Sequence, residues 1–464
     1  MVKDMTVGSS TKLLLSFTVP LLIGNIFQQF YSMVDAIIVG RFVSTDGLAA
    51  VGVTGSMSFL VLGFVQGMTS GFAVPVSQRF GAEDYGGMRR AVAMSVYLSL
   101  AMTVIVTLLS VFTAMPLLRL IDTPENIIGD AYRYIVVIFA GTGAAVFYNM
   151  ISCVLRALGD SKTPLYFLIV ASLLNVVLDL VFILNFSMGV AGAAWATVIS
   201  QAVSALLCLV YMVKRYPILK FQRQDWRLNL PVCAAEIKIG LPMALQFSIT
   251  AVGVMILQSA INSFGSDTVA AYTAASKVEQ LATQALMSMG ATMATYTGQN
   301  LGAGRIDRIR LGARRGVMLS ILFSVIGGLI VVVFGDQLLR LFITGDQPRV
   351  MAEARLYINI ASAGLPVLGV LFVFRNTLQG MGDGLVPMLA GFFEVVVRVL
   401  VAFFVAKWIG YVAICIASPG AWLAAALPLT FTYLKRMHAM LEADRLRQSH
   451  AAGSDTACAD AHKA

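Results

Sequence analysis

Largely apolar stretches of about twenty residues recur along almost the whole chain, among them 91–111, 317–333 with its flanks, and 388–406. Each is long enough to cross about 30 Å of hydrocarbon as a helix. Backbone polar groups find no water inside a bilayer, so a spanning segment is either an α-helix or a strand of a closed barrel. Barrel strands need only about ten residues, so stretches of this length predict helices. The apolar pattern predicts twelve spans: 13–39, 48–77, 91–118, 130–157, 163–186 and 190–213, then 236–264, 268–297, 315–342, 352–378, 386–408 and 411–435. Composition agrees: 58% of the 464 residues are hydrophobic and 12% charged, against about half and about a quarter in soluble domains.

A net charge of +9 would suggest a polyanionic partner in a soluble protein, but the placement of the charge points elsewhere. With the N-terminus inside, most Lys and Arg fall on inner segments, around Arg89 and Arg90, from Lys214 to Lys238 and from Arg305 to Arg315, while the Asp122–Asp130 loop on the other side is acidic. This bias predicts two cytoplasmic termini and no nucleic-acid partner. The first apolar segment runs past Asp35 with no small-residue cleavage pattern, so a cleaved signal is not expected. Five scattered cysteines without CxxC spacing predict no disulfide.

The two halves of the chain resemble each other at a nearly constant offset. Gln78, Gly81 and Ala82 return as Gln299, Gly302 and Ala303, and Leu117-Leu118-Arg119-Leu120 returns as Leu338-Leu339-Arg340-Leu341, both 221 residues on. Gly159-Asp160 with Pro164 returns as Gly382-Asp383 with Pro387 after 223 residues. Six spans per copy make the repeats parallel, and a transporter built this way binds cargo between its halves. The sequence therefore predicts an all-α integral membrane protein: twelve transmembrane helices in two parallel six-helix repeats around a central cavity. Residues 1–213 form an N-terminal lobe, 214–235 a cytoplasmic connector, 236–437 a C-terminal lobe, and 438–464 a polar cytoplasmic tail whose last stretch, 451–464, is expected to lack regular structure.

Asp35, Asp179, Lys277 and Glu279 fall inside predicted spans. A charge at the bilayer centre costs roughly 2.5–3.5 kcal/mol on insertion scales, so such groups usually face a cavity and carry function. Asn175 and Asp179 share one face of the fifth span, and Ala193 and Thr197 one face of the sixth. Counting from the span ends puts Tyr134 and Thr197 at the depth of both acids. Two carboxylates in a partly dry pocket cannot both ionise cheaply and should titrate as a unit. The same oxygens suit a proton or sodium equally well. Glu279 and Lys277, with Gln280, Gln284 and Met287 on the eighth span, are candidate cavity residues, and Glu394 and Arg398 are spaced for an ion pair within one helix. Pro20, Pro75, Pro242 and Pro366 are candidate kinks.

The run Tyr31-Ser32-Met33-Val34-Asp35-Ala36-Ile37-Ile38-Val39-Gly40-Arg41, the loop Gly159-Asp160-Ser161-Lys162-Thr163-Pro164, and Gly192-Ala193-Ala194-Trp195-Ala196-Thr197 resemble the multidrug and toxin extrusion (MATE) family, in its bacterial drug-exporting branch. The resemblance covers about residues 10–437. It implies a monomeric antiporter in the bacterial plasma (inner) membrane that exports cationic or amphipathic drugs and dyes in exchange for H+ or Na+, with no other cofactor. The resemblance puts the cation site on Asp35, Asn175, Asp179 and Thr197, supported by Tyr134, Asn149 and the Ala193 carbonyl, with no further metal site. The second half departs from the first: the partners of Asn175 and Asp179 are Arg398 and Ala402, so no second copy of the site is expected. The alternative is a flippase of lipid-linked precursors, which would present a strongly basic cavity; a passive channel fits less well. No HExxH, GxSxG or GxxxxGK[ST] pattern occurs, so an enzyme is not expected.

Overall fold

The computed structural model describes residues 4–343 and 347–461. The N-terminal lobe holds α1 (Ser10–Phe42), α2 (Thr45–Gly81), α3 (Tyr85–Leu120), α4 (Glu125–Ala140), α5 (Thr142–Ala157), α6 (Lys162–Leu180) and α7 (Val190–Arg215). Two short 3-10 turns, Pro217–Leu219 and Arg223–Trp226, lead to the C-terminal lobe of α8 (Leu230–Asn262), α9 (Ser266–Gly302), α10 (Ile306–Leu339), α11 (Pro348–Gly380), α12 (Leu385–Leu400), α13 (Ala406–Ile409) and α14 (Tyr411–Ala461). Among the described residues, ten helices are long and apolar enough to cross a membrane, and α4 with α5 makes an eleventh span bent by 45°. The twelfth is α9, as long as α2 but too rich in Ser, Thr and Gln for a hydropathy criterion.

Backbone geometry repeats with the sequence. Gly159 and Gly382 close α5 and α11 with φ of 85° and 88°, and Gly189 and Gly410 carry φ of 58° and 61°. Asp160 Oδ1 accepts from the backbone N–H of Lys162 and Thr163, and Asp383 Oδ1 from Leu385 and Val386, so one acid caps the same helix start in each lobe. A π turn follows α6 at Val181–Asn185 and another follows α12 at Val401–Val405.

Three expectations change. The fourth span is not one straight helix: it breaks at Gly141, where a Cβ would fall 2.3 Å from Val198 Cγ2, and the close approach of α7 selects glycine and the bend. The fifth and eleventh spans widen into π turns that apolar periodicity does not encode. The last stretch of the tail, 451–464, expected without regular structure, continues α14 to Ala461; five of residues 451–461 are Ala, the strongest helix former, and 462–464 lie outside the described residues. The four prolines sit within α1, α2, α8 and α11.

Among the described residues, the lobes meet toward the end that carries the basic loops. There α2 crosses α8 so closely that a Cβ on Gly67 would lie 2.6 Å from Ala244 Cα and one on Gly71 2.3 Å from Gly240 Cα, the small-residue contact that lets helix backbones touch in lipid. Ser10 Oγ meets Tyr296 Oη and Thr18 Oγ1 meets Thr292 Oγ1, each at 2.8 Å. Further along α1 the last hydrogen bond to α9 is Asn25 Nδ2 to Ser288 Oγ at 3.1 Å, and beyond it the lobes part.

Candidate functional site

Between the lobes lies a cavity of about 590 Å³, within the usual range for small-molecule sites. Its floor is the closed end just described. Beside it, in the core of the N-terminal lobe, α1 and α6 bring Asp35 and Asp179 together. Asp35 is buried on α1, and Asn175 and Asp179, one turn apart on α6, are fully buried. The two carboxyl groups lie close enough to interact directly. As ionised groups neither has a proton to donate, and Asp35 Oδ1, Asn175 Oδ1 and both Asp179 oxygens find no donor among the described residues. Buried acceptors without donors are costly; a proton or a hard cation between them removes that cost. Asp179 stands two residues before the π turn at Val181–Asn185, a distortion that recurs at functional sites.

Thr197 on α7 joins the cluster to its surroundings. Its hydroxyl accepts from Asn175 Nδ2 at 3.3 Å and meets Tyr31 Oη at 3.4 Å. Tyr31 also lines the cavity, so a chain of polar contacts runs from the cavity wall to the acids. Tyr134 is buried on α4, and its phenol, like that of Tyr31, stands within electrostatic range of both acids. Ala193 is fully buried one helical turn before Thr197. Asn149 is separate: its amide donates to Ala145 O at 2.9 Å and its side chain lines the cavity.

On the C-terminal side, Gln284 and Met287 line the cavity. Lys277 and Gln280 continue the Gln284 face of α9 toward the open end, exposed and beyond the lining. Glu279, expected in the substrate cavity, instead turns into the lobe, where Tyr357 Oη donates to its Oε2 at 2.7 Å in a small separate cleft; one residue along a helix is about 100° around it, enough to leave the Gln280 face. Glu394 and Arg398 pair at 3.6 Å on α12, and Glu394 also binds Arg375 of α11. Arg398 stands where the repeat puts Asn175, and Tyr357 follows Tyr134 by 223 residues, so the second lobe holds a guanidinium where the first holds an amide beside acids.

A family model described as MatE matches residues 20–181 and again 242–404, one match per lobe. The chain belongs to the MatE family. Among its MatE relatives, "Probable multidrug resistance protein YpnP" of Bacillus subtilis (strain 168) is 32% identical over 407 residues, 87% of this chain and 88% of the relative. "Probable multidrug resistance protein YoeA" of the same organism is 29% identical over 417 residues, 86% and 89% of the two chains. A solved "multidrug resistance MATE family transporter of the MOP superfamily" in an outward-facing conformation shares the fold, with a TM-score of 0.88, 23% identity and 95% and 98% of the two chains covered.

Two features of this MatE chain's cavity escape a reading of sequence alone. Tyr31 is four residues before Asp35 and shares its helix face, a signal that was present in the spacing. Arg156 and Arg375 line the cavity, and among the described residues no acid does. Both arginines sit close to the inner ends of α5 and α11, where the positive-inside rule already accounts for a basic residue, so nothing in the pattern marks them as cavity groups.

Proposed function

We propose that the protein is a secondary active exporter of amphipathic small molecules, an antiporter in which H+ or Na+ entering the Asp35–Asp179 cluster drives release of cargo on the far side of the membrane. The observation that carries this reading is the meeting of two carboxyl groups from α1 and α6, without donors, in a lobe whose Thr197–Tyr31 contact reaches the cavity wall. The names of the relatives support drug export, and the basic loops support a cytoplasmic-membrane location with the closed end inside.

The chain's own groups account for the exchange. With both acids ionised, repulsion and the lack of donors favour a hydrated, open arrangement of α1 and α6. Neutralising one acid with a proton, or bridging the two with one sodium held by the Asp35, Asp179, Asn175 and Thr197 oxygens, leaves the pair a single negative charge and favours a tighter arrangement. Moving α1 relative to α6 and α7 shifts Tyr31, which Thr197 holds, and so changes the cavity wall. An ion can bias the two states only by its difference in affinity for them, and this cluster supplies such a difference because its charge balance depends on which ion is present.

The test is export of dye into the lumen of everted vesicles carrying the protein, energised by a proton gradient, a sodium gradient or neither. Efflux that requires one of the gradients is expected. Equal flux under all three conditions would show a passive pathway and remove the proposal.

A further inference from the structure

The charges that line the cavity are positive. Arg156 comes from the N-terminal lobe and Arg375 from the C-terminal lobe, both near its closed floor, and among the described residues no carboxylate joins them on the wall. Asp35 and Asp179 are withdrawn behind Tyr31, and Glu279 is turned toward Tyr357. We infer that the cavity floor is an oxyanion subsite, and that the exported amphiphile carries an anionic oxygen group, a carboxylate in the simplest case, held between Arg156 and Arg375. This rests on the export reading above and gives its cargo a charge opposite to that of the cationic drugs the resemblance implies.

The surroundings of the two guanidinium groups argue for a ligand. Arg156 donates from Nη2 to Cys153 Sγ, a weak acceptor, and no carboxylate lies within ion-pair distance of it among the described residues. Asp160, four residues on, is committed to the backbone N–H of Lys162 and Thr163 and to the hydroxyls of Thr163 and Tyr216. Arg375 is buried and bonds Glu394 through one nitrogen, while its Nε has no acceptor. Glu394 cannot neutralise Arg375 alone, because Arg398 shares it and leaves its own Nε and Nη1 without acceptors. Glu279, beyond Arg398, is hydrogen-bonded away from the cavity.

Neutral donors complete the floor. Gln379 Nε2 donates to Gln246 Oε1 at 3.0 Å, which fixes both amides beside Arg375, and the Phe372 ring lies 5.9 Å from the Arg375 guanidinium carbon, limiting its swing. A planar guanidinium fork suits a carboxylate, and such charge-assisted bonds are about twice as strong as neutral ones. With the head at the floor, the apolar part of the cargo extends along Leu165, Leu168 and Phe247. The two arginines belong to different lobes, so both lobes contribute a guanidinium to the floor.

Rhodamine B and its ethyl ester share one fluorophore and differ by a free carboxylate, which makes them suitable probes. Binding to the purified full-length protein in nanodiscs, followed by fluorescence anisotropy without any ion gradient, is expected to favour the acid over the ester by about tenfold, equivalent to about 1.4 kcal/mol. In Arg156→Gln and in Arg375→Gln that ratio is expected to fall toward one. Dodecanoate should displace the bound acid and dodecyltrimethylammonium should not. Equal affinity for the two dyes in the unaltered protein, or a preference that persists in both variants, overturns the subsite. Because no gradient is present, loss of ion-driven efflux would count against the antiport reading alone and would leave the binding preference standing.

Discussion

A Cβ added to Gly302 would fall 1.7 Å from the Gln78 carbonyl oxygen, and one added to Gly81 would fall 1.9 Å from that of Gln299. These are the repeated Gln and Gly positions of the two lobes, so each glycine lies on the glutamine of the other copy. Gln78 Nε2 then reaches Gly380 O at 2.9 Å and Gln299 Nε2 reaches Ala157 O at 2.8 Å. The closed end is a pseudo-twofold clasp made from one sequence motif used twice. Gly302→Ala should open it: overpacking costs about 1–3 kcal/mol, enough to move the balance between closed and parted lobes by about fivefold to a hundredfold. Labelling of a cysteine placed at Ala294, on the cavity wall, by an impermeant maleimide applied from the inner side should accelerate accordingly. Unchanged labelling would mean the clasp does not set that balance.

Tyr31 tests the link between cluster and cavity. Removing its hydroxyl in Tyr31→Phe deletes the 3.4 Å contact with Thr197 and keeps the ring on the cavity wall. A bond of this kind contributes about 0.5–1.5 kcal/mol, so gradient-driven efflux is expected to fall several-fold while equilibrium dye binding changes little. A loss of binding as large as the loss of efflux would make Tyr31 a cargo contact instead.

Glu394 holds two buried arginines, Arg375 and Arg398. Glu394→Gln leaves both without a counter-charge, and breaking a buried pair typically costs about 3–5 kcal/mol. A marked drop in Tm of the purified protein is expected, larger than that of Arg398→Met, which leaves the Arg375 pair intact. Equal stability of the unaltered protein and Glu394→Gln would show that the guanidinium groups are solvated in place.

Asp84, in the loop between α2 and α3, caps α3 by accepting from the Gly87 backbone N–H at 2.8 Å and pairs with Arg79 at 2.5 Å. The Gly87 bond first, and Arg79 after it, hold its carboxyl below the ordinary carboxylate range against the opposing effect of partial burial. Its folded-state value is depressed, so its contribution to stability is present at neutral pH and fades as the pH falls through that range. The group is half exposed, and the effect is small. The Tm difference between the unaltered protein and Asp84→Ala should therefore shrink on acidification below pH ~4; a difference independent of pH would assign Asp84 no role as a charged cap.

The repeat, the lobes and the encounter of Asp35 with Asn175, Asp179 and Thr197 follow from what sequence records directly: helix periodicity, turn glycines and acids that have no reason to be in lipid. Gly159 and Gly382, for example, announce the same left-handed turn twice. What was hidden depends on neighbours far away in the chain. The bend at Gly141 exists because of Val198. The π turns shift the register after Asp179 without altering the apolar pattern, and Glu279 leaves the cavity through its bond to Tyr357. Arg156 and Arg375 read as inner-end charges and become cavity groups only when two lobes close over them.

The most direct test of the account compares gradient-driven dye efflux in Asp35→Asn and Asp179→Asn with the unaltered protein, at matched amounts of folded protein in the membrane. An amide at either position fixes the charge that the cluster must change, so efflux under either ion gradient should fall to the level seen with no gradient. Full efflux in both variants would contradict the claim that these two carboxyl groups exchange an ion for cargo.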